Sequence, residues 1–95
     1  MDKVWRDVLS EIKTQVSGPI FLTFFKESKL ITLTNNNATV SVPTDIGAEY
    51  VEKRYYSLVK DAFKKVKIGN MGLNFISQEK IQTLRIGRLE ERTTG

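Results

Sequence analysis

The sequence of 95 residues contains neither cysteine nor histidine. The absence of cysteine excludes disulfides, thiol catalysis and cysteine-ligated zinc, and it is compatible with a reducing cytoplasm. The absence of histidine removes the side chain that most often acts as a general acid or base near neutral pH. No two carboxylates lie in an apolar setting that would separate their pKa values. We therefore expect no enzyme, no metal site and no cofactor.

Long apolar runs are also absent. A membrane-spanning helix needs about 20 predominantly apolar residues, whereas the most apolar stretch here is the short GPIFLTFFKESKL at 18–30. The N-terminal residues carry acidic side chains within an amphipathic pattern, so they do not predict a signal peptide. The composition, 40% hydrophobic and 27% charged, is typical of one globular domain. We expect no membrane association.

Two helices are predicted before the first strand. In residues 3–16 apolar side chains recur at spacings of three and four, as one helix face requires. They are Val4, Trp5, Val8, Leu9, Ile12 and Val16. Pro19 suits the first position of a second, short helix over 19–26, because its missing N–H is not needed there. Phe21 and Phe25 are predicted to hold this helix in the core.

The segments LITLT and ATVSV predict two strands, because both are rich in β-branched residues. The three asparagines at 35–37 tolerate the backbone conformations of a tight turn, so an antiparallel hairpin is expected. Alternation along the strands predicts these core-facing residues: Ile31 and Leu33 from the first strand, and Ala38, Val40 and Val42 from the second.

A long helix is predicted over about 45–67, with Thr44 or Asp45 as its N-cap. One face carries an apolar stripe, formed by Ala48, Val51, Tyr55, Leu58, Val59, Ala62, Phe63 and Val66. The glycines of GNMG at 69–72 are expected to end the helix.

The predicted order of elements is helix, helix, strand, strand, helix, strand, with residues 73–76 as the third strand. Helices packed on a small three-stranded sheet make an α+β domain, which we place at residues 1–76. Residues 77–95 mix charges with a few aliphatic side chains. We expect them to form a linker or tail.

Three segments carry a family resemblance through their order and spacing: VWRDVLSEIKTQV, SGPIFLTFFKESKLITL and VSVPTDIGAEYVEKRYYSLVKDAF. Their most specific features are the early Trp5, the spacing of Pro19, Phe21 and Phe24, Pro43 after the second strand, and the two tyrosines of YVEKRY. Over residues 4–76 the sequence resembles the N-terminal domain of DnaA, the bacterial replication initiator.

The resemblance implies a KH-like α+β fold without ATP hydrolysis and without a cofactor. It implies a protein–protein interaction domain in the bacterial cytoplasm, which recruits the replicative helicase or its loader, binds initiation regulators and supports weak self-association. It also implies that the chain is a fragment of a longer initiator.

The sequence differs from the family pattern at several positions on the surface that, by the resemblance, binds partner proteins. Phe24 stands where the family usually has tryptophan, Lys26 and Glu27 replace a common basic–proline pair, and Ile46 stands where an aromatic residue is frequent. Ile20 occupies a position that is acidic in some relatives. Only one face of a two-turn helix can pack against the core. The helix predicted over 19–26 has more apolar residues than this face can hold, so some of them should stay exposed. We therefore predict a partner-binding surface from Ile20, Thr23, Phe24, Lys26, Thr44, Asp45, Ile46 and Glu49.

Trp5 has two interpretations, and both stay open at the level of sequence. Its place within the apolar stripe of the first helix favours core packing. A tryptophan on the first turn of a small domain can also stay partly exposed, and tryptophan is enriched at interaction hot spots. The resemblance favours self-association through Trp5.

The net charge of +4 permits weak contact with nucleic acid. Basic residues line the outer face of the long helix, which is either a solvated face or a weak site for single-stranded DNA; they include Lys53, Arg54, Lys60 and Lys64. GNMG matches the GxxG loop of nucleic-acid-binding KH domains, but here it links a helix to a strand. A KH-like single-stranded nucleic-acid-binding domain is therefore the alternative function.

Overall fold

The computed structural model describes residues 2–79. The helices are α1 (Asp2–Gln15), α2 (Gly18–Ile20), which continues as a π-helical segment (Phe21–Phe25), and α3 (Asp45–Lys65). The strands are β1 (Lys29–Leu33), β2 (Asn37–Val42) and β3 (Gly72–Ser77). The predicted α+β fold and its order of elements are confirmed.

The three strands form one sheet in the order β1-β2-β3. β1 and β2 are an antiparallel hairpin, and β3 lies parallel to β2 with Phe75 opposite Val40. Parallel neighbours need a crossover connection, and α3 supplies it. The start of α3 therefore lies near the end of β2, beside the C-terminal end of β3.

The hairpin turn forms at the asparagines, as predicted. The Thr34 backbone N–H donates to the Asn37 carbonyl at 2.8 Å, and the Asn37 N–H donates to Thr34 Oγ1 at 3.0 Å. Asn36 also ties the turn to the third strand, because its carbonyl accepts from the Gly72 N–H at 2.8 Å.

A β-bulge at Ile31 changes the predicted pattern of β1. Leu30 pairs with Val40 and Thr32 pairs with Thr39, so β1 has one extra residue between them. An extra residue shifts the alternation of side chains between the two faces. Leu30 is therefore buried, whereas Ile31 is 38% exposed. The prediction that Ile31 faces the core is wrong.

The core lies where α1 and α3 pack against each other and against the sheet. The predicted inward face of β2 is confirmed, since Ala38, Val40 and Val42 are fully buried. The α3 stripe supplies five buried side chains: Ala48, Val51, Val59, Ala62 and Phe63. Tyr55, Leu58 and Val66 pack against this core and are partly buried.

The segment after α1 is a short helix with an unexpected hydrogen-bond pattern. Ser17 caps it, with its side-chain oxygen accepting from the Ile20 N–H at 3.3 Å, and Pro19 lies in the first turn as predicted. The Lys26 N–H then donates to the Phe21 carbonyl at 2.9 Å, a spacing of five residues. This π-helical turn buries Phe25 and leaves Phe21 half-buried. Phe25 is thus the main core anchor, and Phe21 packs against the core while only partly buried.

The described residues end just after β3. This strand includes Ser77, which pairs with Val42, so it extends one residue past the predicted domain boundary at 76. Gln78 then donates from Nε2 to the Glu27 carbonyl at 3.0 Å. The rest of the predicted linker or tail of residues 77–95, from 80 onward, lies outside the described residues. Within residues 2–79 no helix combines the length and the apolar character that crossing a membrane requires.

Candidate protein-docking surface

Trp5 is enclosed in the core instead of projecting from α1. Its side chain is 5% exposed, and the indole Nε1–H donates to the carbonyl and the hydroxyl of Ser28, each at 3.2 Å. Its ring centroid lies 6.0 Å from that of Phe63. Of the two interpretations left open by the sequence, the structure supports core packing, because Ser28 and α3 cover the indole. Self-association through Trp5 stays a prediction, and it would need local opening of α1.

The short helix lies beside the start of α3, and Phe24 makes the contact. The ring of Phe24 stacks on that of Tyr50, with centroids 4.8 Å apart and planes 12° from parallel. Gly47 lies next to this contact. A Cβ there would be in ordinary van der Waals contact with Phe24 Cδ1 at 3.5 Å but would lie only 2.9 Å from Thr44 Oγ1, so glycine is needed for the Thr44 cap. The sequence thus brings two elements together that are about 20 residues apart.

Ile46 is the most exposed large apolar side chain of the described residues, with 80% of its surface accessible. It lies on the first turn of α3, one residue before Gly47. Thr44 caps this turn, since its Oγ1 accepts from the Gly47 N–H at 3.0 Å. The cap stabilises the turn that presents Ile46 to solvent. We call Thr23, Phe24, Ile46 and Tyr50 the docking surface.

The other predicted partner-binding residues differ in exposure. Thr23, Lys26, Thr44, Asp45 and Glu49 are exposed, whereas Ile20 is half-buried and packs against the core. Their roles in binding stay predictions.

Tyr50 was missed as a site residue. Its position one turn after Ile46 on α3 could have indicated it, since residues four apart share a helix face.

Arg54 also lies close to Tyr50. Its guanidinium is 5.6 Å from the Tyr50 ring centroid, so Tyr50 has both Phe24 and Arg54 as neighbours. The hydrogen bond and charge of Tyr50 raise the pKa of Arg54, and burial is the main factor that raises the pKa of Tyr55. Arg54 is therefore charged and Tyr55 neutral at physiological pH, so these two groups give the surface no pH switch there.

The basic residues of α3 do not form one free row. Lys53, Arg54 and Lys64 are exposed and Lys60 is half-buried, but Arg54 covers Tyr50 and the Lys60 ammonium lies 5.9 Å from the Tyr56 ring centroid. Weak contact of these four residues with single-stranded DNA stays a prediction.

The GNMG segment has a structural role in the fold. Gly69 has φ of +127°, a conformation that favours glycine. Met71 is 3% exposed, and Gly72 begins β3 where a Cβ would lie 2.7 Å from Asn37 Oδ1. α3 already ends at Lys65, with Val66 as its C-cap and Lys67 at φ of +65°, so the prediction that the GNMG glycines end the helix is wrong. The segment anchors β3 instead of forming an exposed loop between two helices.

Comparison with known proteins agrees with this architecture. The family model of the DnaA N-terminal domain matches residues 2–65. A chromosomal replication initiator protein DnaA of Geotalea uraniireducens (strain Rf4) is 30% identical over 81 residues, which cover 85% of this chain and 18% of that protein. The DnaA of Thermodesulfovibrio yellowstonii (strain ATCC 51303 / DSM 11347 / YP87) is 23% identical over 104 residues, covering 99% of this chain and 24% of that protein. The chain thus spans a quarter or less of the length of these relatives. It belongs to the DnaA N-terminal domain family.

Proposed function

We propose that this domain is a protein-interaction module of a bacterial replication initiator and that it recruits the replicative helicase or its loader. Membership of the DnaA N-terminal domain family supports the role in initiation. The observation that carries the interaction role is Ile46, 80% exposed on a capped first turn beside the stack of Phe24 on Tyr50. Binding of initiation regulators and weak self-association, in the bacterial cytoplasm, belong to the same proposal.

The docking surface has the composition of an interaction site. Exposed apolar groups surrounded by polar residues are typical of protein interfaces, and here Lys26, Asp45 and Glu49 provide the polar surroundings. Full burial of an isoleucine side chain contributes about 1.5–3 kcal/mol. Because most of Ile46 is exposed in the free domain, most of that contribution is available to a partner. The helical turn is already ordered, so little conformational entropy is lost on binding.

The proposal is tested by binding of the purified helicase or loader to immobilised domain, measured by biolayer interferometry. Ile46→Ala should weaken binding by about tenfold, which corresponds to about 1.4 kcal/mol. Ile31→Ala is the matched control, since it removes the same atoms from another exposed isoleucine on β1. Unchanged binding by Ile46→Ala, or an equal loss in both variants, would contradict the proposal.

A further inference from the structure

A groove of about 430 Å³ lies between the first half of α3 and strand β3. α3 contributes one face of the helix to it, at spacings of three and four residues. The lining residues from α3 are Asp45, Ala48, Glu49 and Glu52, and those from β3 are Phe75, Ile76 and Ser77. Phe75 and Ile76 are half-buried, so an apolar floor lies beside three carboxylates.

The charge of this groove is opposite to that of the chain, whose net charge is +4. Asp45 has a structural explanation, because an acidic residue in the first turn stabilises a helix. Glu49 and Glu52 lie beyond that turn, so the helix dipole does not explain them. Among residues 2–79, none of these three carboxylates forms a salt bridge, whereas Lys65 pairs with Glu11. Lys53 follows Glu49 by one turn without reaching it.

We propose that this acidic groove binds a basic segment of the protein partner. A lysine or arginine of that segment would pair with Glu49 and Glu52, while a neighbouring aliphatic side chain covers Phe75 and Ile76. Charge complementarity favours this occupant, because like charges would repel a nucleic-acid phosphate or an acidic peptide from the same place. The inference rests on the proposed function, because Asp45 joins the groove to Ile46 and a partner on the docking surface reaches both.

The test uses a short fluorescein-labelled peptide of alternating leucine and lysine, with binding to the full chain followed by fluorescence anisotropy. The double variant Glu49→Gln with Glu52→Gln should bind the peptide about three- to tenfold more weakly, as expected for two exposed ion pairs. The matched control, Asp7→Asn with Asp61→Asn, removes the same charge from exposed residues outside the groove. It should bind within about twofold of the wild type, because only long-range attraction changes.

Three outcomes overturn the proposal: no binding by the wild type, an equal loss in both double variants, or equal affinity of all three proteins. Self-association of the wild type that only the groove variant abolishes, measured by sedimentation, would assign the groove to a second copy and also overturn it. Ile46→Ala separates this test from that of the proposed function. It should reduce helicase or loader binding while the peptide still binds the groove, so each claim can fail alone.

Discussion

Replacement of Trp5 by alanine should strongly destabilise the domain. The indole is 5% exposed, contacts Phe63 and donates to Ser28, and truncation of such a core aromatic costs about 3–5 kcal/mol. At roughly 0.05–0.15 kcal/mol per residue, a chain of 95 residues has only about 5–14 kcal/mol of stability. Trp5→Ala therefore removes a large part of it.

Urea unfolding followed by far-ultraviolet circular dichroism measures this loss without relying on the removed fluorophore. With a slope of about 1–3 kcal/mol per molar urea, the midpoint should fall by about 1 M or more. Trp5→Phe is the graded control: it keeps an aromatic ring but leaves the buried Ser28 carbonyl without the indole donor, so it should cost about 1–3 kcal/mol. A Trp5→Ala midpoint equal to that of the wild type would refute the core position of Trp5.

Two further predictions use thermal and urea unfolding. Phe25→Ala should cost about 3–5 kcal/mol because Phe25 is 1% exposed, and Phe21→Ala should cost clearly less because Phe21 is half-buried; equal losses would show that the π-helical turn is misplaced. Thr44→Ala should cost about 1 kcal/mol through loss of the α3 N-cap, whereas Thr23→Ala, at an exposed site, should stay within about 0.5 kcal/mol of the wild type. Unchanged stability of the Thr44→Ala variant would argue against the N-cap of α3.

The order of elements could be predicted because each one has a local cause. The apolar periodicity of α1 and α3, the turn-forming asparagines and the β-branched strands all act within a few residues. Thr44 was one of two candidate caps, and its position before the apolar stripe was sufficient to place the start of α3.

The structure differs from the sequence predictions where a contact between distant residues, or one inserted residue, determines which side chains are buried. The apolar stripe of α1 favoured the burial of Trp5, but periodicity does not reveal its hydrogen bonds to Ser28, 23 residues away. The bulge at Ile31 changes the alternation of β1 without any glycine or proline to indicate it. The π-helical turn, which buries Phe25 more deeply than Phe21, was not predicted, because the composition of 19–26 fits an ordinary helix equally well.

The candidate site was predictable in part. Ile46 was named as a partner-binding residue because of the family resemblance, and its exposure agrees with its position off the buried stripe of α3. The stack of Phe24 on Tyr50 was not predicted, because it joins residues of two elements that are distant in the sequence. The groove between α3 and β3 was also missed. It exists because β3 lies parallel to β2 with α3 as the crossover, and the sequence did not predict this parallel pairing.

The most direct test of the docking surface measures whether a partner covers position 46. Because the chain has no cysteine, Ile46→Cys and Ile31→Cys each introduce a single thiol whose alkylation by a maleimide can be followed by mass spectrometry. Saturating helicase or loader should slow alkylation at position 46 by tenfold or more, about the protection expected of a buried contact, and leave the rate at position 31 unchanged. Equal rates at position 46 with and without the partner would contradict the account.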